Sequence, residues 1–285
     1  MTLRARALVP LLLLLALTAA GCGRAVHVGE ARSADGVPIA FEAHGRGEPA
    51  LVFVHGWSCD RGYWKEQVDA FAADHRVVLL DLAGHGASGV DRAAWTMDAY
   101  GADVAAVCDL LDLEKVILIG HSMGGTVIAE AGRLLGDRLV GLIGVDTLHD
   151  VEEHLTPEQI AGFTAPMDAN FPVTMKAFVR SMFTASADSA TVARIADDMA
   201  AAPPRVAVPT LRNYLAWDLP ATLDAYRPRV RCINADLWPT TPAHGRNHCA
   251  EFEVEIIPDA GHFLMLEMPD VFNAALRRAV ESLES

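Results

Sequence analysis

Ser122 is the residue best placed in this chain to act as a nucleophile, and His262, Asp146 and Asp236 are the groups that could activate it. A serine hydroxyl of ordinary pKa needs an imidazole to take its proton and a carboxylate to orient that imidazole. Ser122 sits in Gly-His-Ser-Met-Gly, with Gly120 and Gly124 on either side. Small neighbours are what a sharp, strained strand-to-helix turn tolerates, and such a turn leaves the hydroxyl exposed above a sheet. The following helix points its N-terminus at that oxygen, so the backbone amide of Met123 is a donor for developing negative charge. His262 lies in a Gly-His-Phe loop after a strand, and Asp146 and Asp236 each stand at the end of a strand. Together these types can carry out acyl transfer through a serine ester.

Such groups must be held by a sheet. Val116 to Ile119 is a short, fully apolar run of the kind a central parallel strand needs, and Val127, Ile128, Ala131, Leu134 and Leu135 recur at helical spacing after it. Asp35-Gly36 is a hairpin signal between two antiparallel edge strands. Strands are expected at Leu51 to Val54, Arg76 to Leu80, Leu139 to Val145, Arg229 to Ala235 and Phe252 to Ile257, with helices at Tyr63 to Ala73 and Thr96 to Leu111. This alternation predicts an α/β fold with a mostly parallel sheet covered on both faces. Between Asp146 and Arg229 the sheet rhythm stops. Thr156 to Met167, Pro172 to Phe183 and Ser189 to Met199 read as short helices, and Pro203 to Trp217 as a further one.

Four segments in order give the chain a resemblance to the alpha/beta-hydrolase superfamily, in its serine-nucleophile, capped, esterase- or lipase-like branch: LVFVHGW (51–57), DLAGHGASG (81–89), GHSMG (120–124) and DAGHF (259–263). The resemblance implies an eight-stranded sheet, a core of residues 31–146 and 219–285, and a helical cap with its return helix over 147–218. It also implies that the amide of Trp57 joins that of Met123 in an oxyanion hole, and that His55, His85 and His121 brace loops. In the commonest arrangement of that family the acid stands three residues past a small residue such as Ala235; here that position is Trp238. Asp146 and Asp236 are the substitutes, with Asp146 favoured because it stands alone at the C-terminal edge of its strand. A serine at the nucleophile position speaks against the dehalogenase and epoxide-hydrolase branches. Phe163, Met167, Phe171, Met175, Phe178, Met182 and Phe183 make the cap soft and apolar, suited to packing on the core and to covering a lipophilic substrate.

The 285 residues carry a formal net charge of −14, which argues against a nucleic-acid partner. Arg4 and Arg6 precede an apolar run from Ala7 to Leu17, the size of a signal-peptide core, and Thr-Ala-Ala-Gly-Cys resembles a bacterial lipobox. Residues 1–21 are therefore expected to be a lipoprotein signal, Cys22 the lipidated residue and 22–30 a tether; because Ala19 stands where leucine is commonest, ordinary cleavage near Ala20 is the alternative. The membrane is a partner through that anchor only, and the protein faces the bacterial cell envelope. In an oxidising compartment Cys232 and Cys249 could pair, while Cys108 looks like a core residue. His244, His248 and Cys249 share helical spacing but read as a solvated helix face, and no dinucleotide or phosphate-binding glycine motif occurs. Neither a metal nor a cofactor is expected. The function expected is hydrolysis of a small-molecule carboxylic ester or lactone with an apolar portion. A carbon–carbon hydrolase or an acyltransferase using the same residues stays open, as does a surface lipoprotein that keeps the fold only for binding.

Overall fold

A computed structural model describes residues 26–285; the expected signal segment and Cys22 lie outside the described residues. Eight strands form one sheet: β1 (Val26–Arg32), β2 (Pro38–His44), β3 (Ala50–Val54), β4 (Val77–Leu80), β5 (Val116–His121), β6 (Leu139–Val145), β7 (Arg229–Ala235) and β8 (Glu251–Ile257). Their order is β1-β2-β4-β3-β5-β6-β7-β8. β1 and β2 run antiparallel, β2 meets β4 antiparallel, and every pairing from β4 to β8 is parallel. β3, β4 and β5 are buried at every residue, as their unbroken apolar runs require when helices cover both faces.

Residues 26–30, expected within the tether, belong instead to β1, which begins at Val26. Its alternating outward residues give no burial signal; what makes it a strand is pairing with β2 from Val26↔His44 to Arg32↔Pro38. The core helices are α1 (Lys65–Phe71) and α2 (Met97–Leu110), then α3 (Met123–Leu135), which starts directly after the nucleophile turn. The cap follows as α4 (Pro157–Ala169), α5 (Phe171–Arg180), α6 (Ser189–Ala200) and α7 (Pro204–Leu215). Thr156 and Gln159 close a reciprocal capping box on α4, and Asn170 and Asp188 cap α5 and α6. The return to the core breaks at Asp218, whose side chain caps a separate α8 (Leu219–Asp224). α9 (Pro242–His248), α10 (Leu264–Glu267) and α11 (Pro269–Glu284) complete the chain. Among the described residues no helix is long and apolar enough to cross a membrane.

The cap is fastened by polar contacts that only folding can bring together. Trp57 Nε1 donates to Ala207 O at 2.8 Å, Tyr63 Oη to Asp198 Oδ2 at 2.6 Å and Asn213 Nδ2 to Trp95 O at 2.8 Å. On the return side, the buried Glu130 of α3 accepts from Trp217 Nε1 at 3.1 Å and Thr222 Oγ1 at 2.5 Å. Because β3 to β8 are parallel, the loops after β3, β5, β6, β7 and β8 emerge at one edge of the sheet, and the cap lies over them.

Candidate active site

Ser122 has φ +53° and ψ −121°, a conformation costly for a residue with a side chain. The neighbours hold it there: Ser122 N donates to Val145 O at 3.0 Å, and Ser122 O accepts from Gly125 N at 2.9 Å and Thr147 Oγ1 at 2.7 Å. A Cβ on Gly120 would run into the carbonyl of Gly124, and one on Gly124 would come within 2.7 Å of Val54 O and 2.8 Å of His55 O. Glycine at both positions is thus a packing requirement of the turn. The loop after β3 passes close above it, since a Cβ on Gly56 would sit 3.3 Å from Ser122 Cβ. Trp57 follows in that loop, and Met123 opens α3 with its side chain fully buried.

His262 Nδ1 lies 2.5 Å from Asp146 Oδ2. A carboxylate only accepts, so Nδ1 carries the proton and the neutral ring keeps its lone pair on Nε2. Asp146 is buried, and its other oxygen, Oδ1, accepts from Ala235 N at 2.8 Å. The loop bearing His262 is anchored in turn: His262 N donates to Met182 O of the cap at 2.8 Å, and His262 O accepts from His121 Nε2 at 2.9 Å. Asp236, the other carboxylate at a strand end, is exposed. Trp238 packs edge-on against the ring of His262, with centroids 5.3 Å apart at 71°.

The remaining histidines of the motifs are buried and tied to backbone. His55 donates from Nδ1 to Gly56 O at 2.8 Å and accepts at Nε2 from Leu82 N at 3.0 Å. His85 donates from Nδ1 to Ala83 O at 3.0 Å, with Nε2 accepting from Ser58 N at 3.3 Å. Burial disfavours their charged forms, lowering His55 to about 4 and His85 to about 3. His121 is pushed well below the ordinary histidine value by burial and then by the neighbouring His262.

Ser122, His262, Asp146, Gly56 and Trp57 border one cavity of about 660 Å³ between sheet edge and cap. The cap contributes Phe163, Phe178, Met182, Met199 and Leu211 to its wall. Thr147 and His149 in the cavity lining, and Asn234 beside them, escaped the sequence reading. Asn234 Oδ1 accepts from Thr147 N at 3.2 Å and its Nδ2 donates to Thr147 O at 3.0 Å, stitching the ends of β6 and β7 together. The one available signal was Asn234 itself, a polar residue between Ile233 and Ala235 at the buried end of β7.

Two expectations are corrected. Cys59, Cys108, Cys232 and Cys249 are all free and buried, so Cys232 and Cys249 do not pair; burial raises both thiols, Cys249 to about 12. The His244 to Cys249 stretch is not simply a solvated face. His244 Nδ1 lies 2.6 Å from Asp150 Oδ1, His248 contacts Glu152 Oε1 at 3.2 Å and Asp224 Oδ1 at 3.0 Å, and Cys249 is buried. These contacts fasten α9 to the loop after β6 and to the end of α8. Among the described residues no cluster of ligating side chains could hold a metal ion.

A family model described as "Alpha/beta hydrolase family" matches residues 51–275. The chain is 30% identical to a dihydrolipoyllysine-residue acetyltransferase component of the acetoin cleaving system from Pseudomonas putida, over 82% of this chain and 64% of that protein. It spans 31% of the corresponding component from Cupriavidus necator, so it covers less than two thirds of either. A non-heme chloroperoxidase from Streptomyces lividans is 36% identical over 41% of this chain and 45% of its own. Among solved structures, a thermophilic esterase from Thermogutta terrifontis superposes with a TM-score of 0.77 at 25% identity, over 91% of this chain and all of that one.

Proposed function

Since the chain belongs to the alpha/beta hydrolase family, we propose that it is a serine hydrolase cleaving a carboxylic ester or lactone with an apolar portion. The observation that carries this is the 2.5 Å contact of His262 Nδ1 with the buried Asp146, which leaves Nε2 as a base facing the cavity that Ser122 also borders. In this reading Ser122 attacks the carbonyl carbon as His262 takes its proton. The amides of Trp57 and Met123 hold the oxyanion, and the protonated His262 passes its proton to the departing alcohol. Water, deprotonated by His262, then releases the acid and restores the serine. Asp146 stabilises the imidazolium of both halves. The binding-only alternative drew its force from Trp238 at the usual acid position, and the Asp146 carboxylate supplies the group that position lacks.

The substrate follows from the wall. Phe163, Phe178, Met182 and Leu211 favour an apolar acyl or alcohol group. Asp150 and Glu153 line the same cavity, whose lining has no lysine or arginine, so a neutral ester fits and an anionic one is disfavoured. The named esterase relative agrees with this reaction class. The same proposal places the protein in a bacterial cell envelope through Cys22; incorporation of a palmitate analogue that Cys22→Ser abolishes would bear on that separately.

The deciding experiment combines a fluorophosphonate probe with p-nitrophenyl esters of short and medium acyl length. Labelling and turnover are expected in the wild type and absent from a folded Ser122→Ala variant. A wild-type chain that neither labels nor turns over any of these esters overturns the proposal.

A further inference from the structure

Three residues after Asp146, His149 borders the cavity with a buried Nε2 that has no hydrogen-bond partner. That nitrogen is 3.6 Å from Asp146 Oδ1, the carboxylate oxygen that His262 does not use. The opposite nitrogen, Nδ1, faces Thr240 Oγ1 at 3.0 Å and Asn234 Nδ2 at 3.3 Å. The Asn234 amide cannot be turned without losing both its bonds to the Thr147 backbone, one accepted and one donated. Of its two N–H bonds one goes to Thr147 O, and the other lies 3.1 Å from Thr240 Oγ1 and 3.3 Å from His149 Nδ1. Thr240 accepts there and has its own proton to donate to Nδ1, whereas a lone pair on Nε2 would face the Asp146 carboxylate, so Nδ1 is the lone-pair nitrogen. The ring proton then sits on Nε2, directed at Asp146. The His149 ring also packs edge-on against Trp238, 5.9 Å away at 80°, and Trp238 in turn covers His262.

The charged and titratable groups around this assembly are few. Asp146 and His262 lie on one side, with His121 4.5 Å from the His262 ring, and Glu267 accepts from Phe263 N beside them. On the other side Asp150, next in the chain, is bonded to His244. Burial lowers the affinity of His149 for a second proton, consistent with a neutral ring.

We propose that His149 is a positioning residue for the Asp146–His262 pair: its Nε2–H faces the carboxylate oxygen that also accepts from Ala235 N, joining that bond in fixing the group's plane, and its ring seats Trp238 over His262. The catalytic consequence rests on the serine-hydrolase reading, whereas the electrostatic one does not. An N–H dipole at Oδ1 takes up part of the carboxylate's negative field. Without it more of that field falls on His262, which then binds its proton more tightly.

Nitrogen-15 NMR of the full mature chain tests this without relying on turnover. In the wild type the His149 Nδ1 resonance is expected at the unprotonated position and Nε2 at the protonated one. Finding the Nδ1–H tautomer overturns the proposal even if no variant folds. In His149→Phe, which keeps a ring against Trp238 but has no N–H, the His262 titration midpoint is expected to rise by about 0.5 unit. The acid limb of kcat/KM for a p-nitrophenyl ester should move with it. His149→Gln, which can return an N–H to Oδ1, should restore the wild-type midpoint. A His262 midpoint that is the same in wild type and His149→Phe overturns the proposal. Absence of Ser122-dependent turnover with the expected NMR results would instead remove the hydrolase reading and leave the His149 assignment standing.

Discussion

A carboxylate can stand in the right loop and still face the wrong way, and this separates Asp146 from Asp236. Asp146 has φ +44°, its amide donates to Ile233 O at 2.9 Å, and its side chain is turned into the protein with Ala235 N and His262 as partners. Asp236 is exposed at the end of the neighbouring strand. Replacing Asp146 by Asn puts an NH₂ or a weaker acceptor against Nδ1 and lets the imidazole take the wrong tautomer. Turnover of a p-nitrophenyl ester by Asp146→Asn is expected to fall by about 10⁴-fold, the size of the loss when the orienting aspartate of a serine protease is amidated. Asp236→Asn should stay within about threefold of the wild type, since exposed substitutions away from a site change little. Steady-state kinetics on the two purified variants decides it, and a large loss confined to Asp236→Asn would remove Asp146 from the mechanism.

At the scale of elements, the cap both closes the cavity and grips the catalytic loop. Met182, just past α5, gives its carbonyl to His262 N and its side chain to the cavity wall, so cap position and His262 position are coupled. Phe178 of α5 stands one turn earlier, with its ring 6.2 Å from Trp57 and 5.6 Å from Phe163. Phe178→Ala removes a ring from the wall without touching that backbone bond. The enlarged space should raise kcat/KM for a medium-chain ester relative to a short one by about tenfold, in line with the value of a methylene or two in an apolar pocket. A preference profile unchanged across acyl lengths would show that the acyl group lies elsewhere. The elements themselves were legible wherever burial writes a period. β3, β5 and β6 appear as apolar runs, and α4 announces itself through Thr156, Pro157 and Glu158. β1 was legible only through the turn signal at Asp35-Gly36; its starting point was not, because its strand state depends on pairing with β2, from Arg32↔Pro38 out to Val26↔His44, and not on its own faces. The turn holding Ser122 was legible for a local steric reason, the two glycines. The sequence favoured Asp146 over Asp236 only for standing alone at its strand's edge; both end strands, and it is the direction of the side chain that distinguishes them. Asn234, Thr147 and His149 were hidden for a related reason: they are joined across two loops, and no spacing along the chain records that.

The whole molecule carries its site on histidines that must stay neutral, and this sets how the fold responds to acid. His55, His85 and His121 are wholly buried, each bonded to backbone, and burial lowers them to about 4, about 3 and well below 6.5 respectively. In the unfolded chain the same rings take up protons near pH 6.5. Between pH 6.5 and about 4 the unfolded state therefore binds more protons than the folded one, so the free energy of unfolding rises with pH and is lost as pH falls. The contribution is fully present above pH 6.5 and drains away below it. Each ring loses a little over 1 kcal/mol between pH 7 and 5.5, so the three together cost about 4 kcal/mol. That is a large share of the 5–15 kcal/mol typical of a folded domain. Urea unfolding at pH 7.0 and 5.5, fitted with a common slope, should show a loss of this size. A stability that is flat over that interval would mean that the rings already accept protons in the folded chain, and the hydrogen bonds that hold the loops after β3 and β4 in place would then have to be assigned differently.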